Sequence, residues 1–92
     1  MKVTSWGEEY EVTVEKTKYG NNGNLAIQLW CDDGPFATLT VNLNKKLKEG
    51  YAYVDINNCP WAEEFIEKNH LGEFADDFGF SGFCIYPLYK FF

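Results

Sequence analysis

Apolar and polar residues alternate through most of the first half of the chain, the mark of strands with one face buried. Tyr10, Val12 and Val14 alternate with Glu9, Glu11, Thr13 and Glu15. The run Tyr19-Gly20-Asn21-Asn22-Gly23-Asn24 holds residues that tolerate positive φ and predicts a hairpin turn. The return strand sets Leu25, Ile27, Leu29 and Cys31 on one face and Ala26, Gln28 and Trp30 on the other. Asp32-Asp33-Gly34-Pro35 predicts a second turn, leading into a strand over Phe36–Leu43 in which Ala37, Leu39, Val41 and Leu43 alternate with polar residues. After the polar connection Asn44–Gly50, Ala52, Val54 and Ile56 alternate with Tyr51, Tyr53 and Asp55. Short turns between neighbours predict an antiparallel meander.

The period then lengthens. Asn57-Asn58-Cys59-Pro60 predicts a helix start, with Asn as cap and Pro in the first turn. Trp61, Ala62, Phe65 and Ile66 recur at helical spacing, with Glu63, Glu64, Glu67 and Lys68 on the opposite side. Asn69-His70-Leu71-Gly72 predicts the stop, Gly72 taking the left-handed position. A helix of about ten residues depends on packing of its apolar stripe. Glu73–Asp77 reads as a polar connection or a second helical turn, and Phe83–Tyr89 as a last strand, at an edge or bulged because of Pro87. The predicted fold is α+β: an antiparallel sheet of about five strands with one amphipathic helix packed on one face. Residues 1–92 are expected to form a single domain.

Hydrophobic residues make up 46 % of the chain and aromatics 18 %, enough for a small domain to build a core without covalent staples. The three cysteines, Cys31, Cys59 and Cys84, lack paired spacing and read as free thiols in a reducing cytoplasm. A single Cys31–Cys84 or Cys31–Cys59 bridge stays open at this level. No apolar run follows Met1 as in a signal peptide, and no segment reaches membrane-spanning length, so the expected location is cytoplasmic, with no membrane partner.

Charge changes the picture most. The net charge of −6 resides entirely between Asp55 and Asp77, where Asp55, Glu63, Glu64, Glu67, Glu73, Asp76 and Asp77 face a single Lys68. The remaining acids and lysines cancel. A localised negative field attracts a basic partner, whereas a dispersed one serves solubility. Direct nucleic-acid binding is not expected from an acidic chain with no arginine. Trp30, Tyr51 and Tyr53 are expected on the sheet face away from the helix, available as interface anchors or covered by the C-terminal segment.

Candidate chemistry is thin. Exposed carboxylates lack a reason for the raised pKa that acid–base catalysis needs. His70 reads as part of a helix terminus, and Cys59 or Cys84 could pair with it only by composition. EF-hand, zinc and phosphate-loop spacings are absent. No catalytic residue, metal or cofactor is expected.

The run Asn57-Asn58-Cys59-Pro60-Trp61-Ala62-Glu63-Glu64-Phe65-Ile66, continuing to Leu71-Gly72, resembles small bacterial proteins carried by phages and other mobile elements. The preceding Phe36–Leu43 strand is similar to the same group, and the resemblance covers roughly residues 25–72. It implies an α+β fold in a mobile-element setting and carries no catalytic residues. In size and charge the chain is also similar to inhibitors of host defence nucleases such as anti-CRISPR proteins. Together these readings predict a non-enzymatic inhibitor that sets its acids, with nearby aromatics, against the basic surface of a nucleic-acid-binding enzyme. The alternative is an assembly module forming homo-oligomers through a sheet edge or the aromatic C-terminus.

Overall fold

Trp6 and Gly7 both take positive φ (54° and 79°), the geometry of the two-residue turn that matches strand twist. They join β1 (Lys2–Ser5) to β2 (Glu8–Glu11) in a two-stranded ribbon. β3 (Thr13–Lys18), β4 (Leu25–Cys31) and β5 (Gly34–Thr38) form a three-stranded antiparallel sheet, with the hairpin at Tyr19–Asn24 where the turn residues predict it. β6 (Thr40–Val41), β7 (Tyr51–Val54), β8 (Gly72–Ser81) and β9 (Cys84–Phe91) form a four-stranded sheet in the order β6-β7-β9-β8. The single helix, α1, spans Ala62–Lys68. The computed structural model describes all residues, Met1–Phe92.

The expected α+β fold with one sheet of about five strands is therefore incorrect. The protein is mostly β, with 54 % of residues in strands and 8 % in helix, divided among three sheets. The expected continuous strand Phe36–Leu43 breaks at Leu39, which is fully buried. Leu39 donates its N–H to Ile27 O of β4 (2.8 Å), and its carbonyl accepts from Asp55 N just past β7 (2.9 Å). One residue thus passes the chain from one sheet to the next without leaving a buried backbone group unpaired. Thr40 reinforces the junction: its Oγ1 accepts from Ile27 N (3.2 Å) and contacts the Tyr19 hydroxyl (3.0 Å). Alternation alone could not show this break, because the buried face stays continuous across it.

The helix is shorter than expected. Asn58 does not cap it; its N–H and Nδ2 donate to the Asp55 carboxylate (3.2 and 2.8 Å), closing a turn that precedes the helix. Termination also differs. Leu71 N donates to Ile66 O (3.0 Å) and His70 N to Glu67 O (3.3 Å), a Schellman ending with His70 at φ 53°. Gly72 is needed instead inside β8, where an added Cβ would stand 2.6 Å from Lys90 O.

The segment Glu73–Asp77, expected as a connection or helical turn, lies inside β8. Its polar pair breaks strand periodicity, and a bulge absorbs the break: Phe74 opposes Tyr89, but the next pair is Phe78 with Pro87. β9 is a central strand, not an edge. Phe91 N donates to Gly50 O on the β7 side (2.7 Å), so by the two-residue repeat the Pro87 nitrogen faces that side too. There it lies beyond the last β7 pair, Tyr53 with Leu88, and costs no ladder bond.

The core lies where the sheets and helix converge, around Val3, Val12, Leu29, Leu39, Ile66 and Tyr89, all at most 1 % exposed. An aromatic chain, Tyr10–Phe36–Trp61–Phe65, runs from β2 through β5 to the helix with ring centroids 4.9, 5.8 and 5.9 Å apart. These rings supply the packing that a seven-residue helix needs.

Candidate functional site

Beyond its last pair with β7, β9 continues with β8 alone as a two-stranded arm from Phe78↔Pro87 to Ser81↔Cys84. The Gly82-Phe83 turn closes it, with Gly82 at φ 59° as the first central residue requires. Directly opposed residues share a face. Phe74, Phe78 and Phe80 therefore line up with Tyr89, Pro87 and Ile85. The base of this stripe is covered: Tyr89 is fully buried. Its outer part is open, since Phe78 and Ile85 are about half exposed, Phe80 is 70 % exposed, and Phe83 at the tip is fully exposed. The arm is seated from behind by Gly79, which lies against Leu43 and the Tyr53 ring so closely that a Cβ would approach both to 2.6 Å.

Carboxylates flank the stripe. Glu63 on the helix accepts a hydrogen bond from Tyr89 Oη (2.6 Å). Burial, then that hydrogen bond, push the Tyr89 hydroxyl well above its usual value, and the Glu67 charge adds to the effect. Phe74 packs on Tyr89 (centroids 5.9 Å) and Phe78 on Phe74 (5.4 Å). Asp76 and Asp77 sit in the bulge between these two phenylalanines, Asp76 at φ 55° and Asp77 Oδ1 accepting from Phe78 N (2.8 Å). Glu63 and Glu67 thus lie by the Tyr89 hydroxyl at the base of the stripe, and Asp76 and Asp77 lie in the bulge between Phe74 and Phe78. Nothing neutralises them: the one ion pair in the protein joins the Met1 amino group to Glu11.

A family model described as "Domain of unknown function (DUF4313)" matches residues 13–92. The chain belongs to this family. The match takes in the whole candidate face and leaves out the β1–β2 ribbon. No curated protein and no solved structure matches the chain.

The other expected site residues lie elsewhere on the DUF4313 domain. Asp55 is buried in the turn it caps. Glu64 borders a small cleft with Lys2, Trp61 and Lys68. Glu73 opposes Lys90 on the reverse face of β8. Trp30 belongs to the three-stranded sheet, its Nε1 donating to Glu15 (3.3 Å). Tyr53 is buried beneath Gly79, and half-buried Tyr51 stands beside Leu47 and Leu88. The exposed phenylalanines of the arm are further candidate contact residues outside those expected from sequence; the spacing of Phe78 and Phe80 and the Ser81-Gly82-Phe83 turn were the signal.

All three cysteines are free. Burial, then the Asp55 charge, push the Cys59 thiol up to about 11, the opposite of what a nucleophile needs. His70 is exposed at the helix terminus. No group of three or more side chains is arranged to hold a metal ion. No helix is long and apolar enough to cross a membrane.

Proposed function

We propose that this protein is a non-catalytic binding module that docks the β8–β9 arm and its acidic flank onto the basic surface of another protein. The observation that carries the reading is an exposed apolar stripe, Phe78, Phe80 and Ile85, with Asp76 and Asp77 in its bulge and Glu63 and Glu67 near its base, none of them in an ion pair. Apolar anchors with a charged rim are the anatomy of a protein interface. The favoured partner is a nucleic-acid-binding enzyme, whose lysines and arginines would pair with these acids in place of phosphates. The module would then act as a competitive inhibitor, in the manner of anti-CRISPR proteins carried by phages and mobile elements. The three free thiols support a reducing, cytoplasmic setting.

Two variants test the two halves of the face. Glu63→Gln/Glu67→Gln/Asp76→Asn/Asp77→Asn removes charge while keeping shape, and Asn tolerates the positive φ at position 76. Phe80→Thr/Ile85→Thr removes the anchors. The native protein is expected to retain a basic, nucleic-acid-binding protein from its host's lysate, in competition with that protein's nucleic acid and released by salt. Both variants should lose it. A partner that ignores both variants, or binds nucleic acid unimpeded while docked, overturns the reading.

Self-association through β8 is the second reading, favoured by its place at the sheet edge with an apolar stripe beside it. The bulge and its two aspartates oppose it. A symmetric pairing centred on β8 would bring Asp76 and Asp77 against their own copies, and bulges and charges are what protect edges from such pairing. A stable dimer by light scattering, lost in Phe80→Thr/Ile85→Thr, would establish this alternative.

A further inference from the structure

A different feature lies at the Phe91–Phe92 end of β9, away from the arm tip. Between the β3–β4 hairpin and the Asn44–Gly50 connection runs a groove enclosing about 420 Å³. Lys16 and Lys18 of β3 line it together with Lys46 and Lys48 of the connection, and Glu49 is the one acidic side chain among them. Half the lysines of an acidic chain therefore meet in one place. None pairs with a side-chain carboxylate. Lys46 Nζ donates to Asn22 O (2.7 Å) and Lys16 Nζ to the Phe92 carbonyl, while Lys18 and Lys48 have no hydrogen-bond partner. The Asn22 carbonyl is neutral, so its bond orients the Lys46 ammonium group and leaves that charge uncompensated.

The groove is built rather than incidental. Asn24, 5 % exposed, donates Nδ2 to Lys45 O (2.7 Å) and accepts from Leu47 N (2.9 Å). A buried amide thereby clamps the backbone on both sides of Lys46. Positive φ at Asn44 (61°) and Gly50 (86°) turns the connection at either end so that it folds back over the hairpin. Like charges held together by a fixed backbone repel one another, and an anion between them relieves that repulsion.

We propose that this groove binds a small organic di- or polyphosphate, its phosphates on Lys16, Lys18, Lys46 and Lys48 and its organic part against Leu47 and Phe92. The volume falls within the range of about 300–1,000 Å³ typical of small-ligand sites. A compact anion inside the groove feels the lysines within a Debye length of about 8 Å. An extended nucleic acid would also meet the net charge of −6, so the small ligand is favoured.

Titration calorimetry of the whole chain with pyrophosphate tests the assignment. Saturable binding tighter than about 1 mM at low salt is expected, weakening as salt rises. Lys18→Gln/Lys48→Gln should weaken it by about tenfold or more. Lys2→Gln/Lys68→Gln, outside the groove, should leave it unchanged. Amide shifts in the native chain give an answer independent of any variant, and should centre on Leu25, Leu47 and Gly50. Absence of saturation, indifference to Lys18→Gln/Lys48→Gln, or shifts centred on the arm would overturn the proposal.

Discussion

His70 holds the left-handed position of the helix ending, where a residue with Cβ is strained and glycine is not. Its side chain is exposed, so little packing offsets that strain. His70→Gly should therefore stabilise the protein by about 1 kcal/mol in urea denaturation, net of the added freedom of the unfolded chain. Cys59 gives a second prediction. A thiol held up to about 11, against an ordinary value of 9, contributes stability that is complete below pH 9 and disappears as pH rises from 9 towards 11. The raised Tyr89 hydroxyl acts in the same sense above pH 10. The urea midpoint should fall from about pH 9 upward, and Cys59→Ala should remove the first part of that fall. At neutral pH a thiol reagent should label half-buried Cys31 and Cys84 well before buried Cys59.

Two glycines separate the rigidity of β8 from that of the arm. A methyl group at Gly72 meets the Lys90 carbonyl of the paired strand, whereas one at Gly79 meets the side chains of Leu43 and Tyr53. Backbone cannot yield without breaking the ladder, while Leu43 can rotate and the buried Tyr53 ring must shift with it. Gly72→Ala should cost about 3 kcal/mol and Gly79→Ala about 1–2 kcal/mol, measured by chemical denaturation. At this scale the sequence was partly legible. Period-two alternation and turn residues located the β3–β4 hairpin, the turn into β5 and strand β7, because each signal is local. Most of what failed depended on partners distant in sequence. Leu39 looks like any inward strand residue until its two hydrogen bonds reach different sheets. Asp76-Asp77 reads as a loop because a bulge hides its strand from a period count. Asn58 is the exception: Asp55, only three residues before it, takes its amide in a local turn that competes with capping. The charge concentration between Asp55 and Asp77 was visible from the outset, but the structure distributes it: Glu63 borders Tyr89, Asp76 and Asp77 occupy the β8 bulge, Asp55 is buried and Glu73 lies on the reverse face of β8.

For the molecule as a whole, exposed apolar side chains on the arm contribute little to folding. Phe80→Thr/Ile85→Thr should change stability by no more than about 0.5 kcal/mol for each substitution, a magnitude usual at exposed sites. A large loss of stability would mean that the arm belongs to the core, against the proposal that it is a docking surface. The body behaves differently, because Leu39 gives its N–H to one sheet and its carbonyl to the neighbourhood of the other. Neither sheet can open alone without exposing a broken bond at that residue. The amide protons of Leu39 and Asp55 should then exchange with solvent only on global unfolding, while those of the arm exchange through local opening. A partner could accordingly clasp and reshape the arm at little cost, the body behind it acting as a stiff mount.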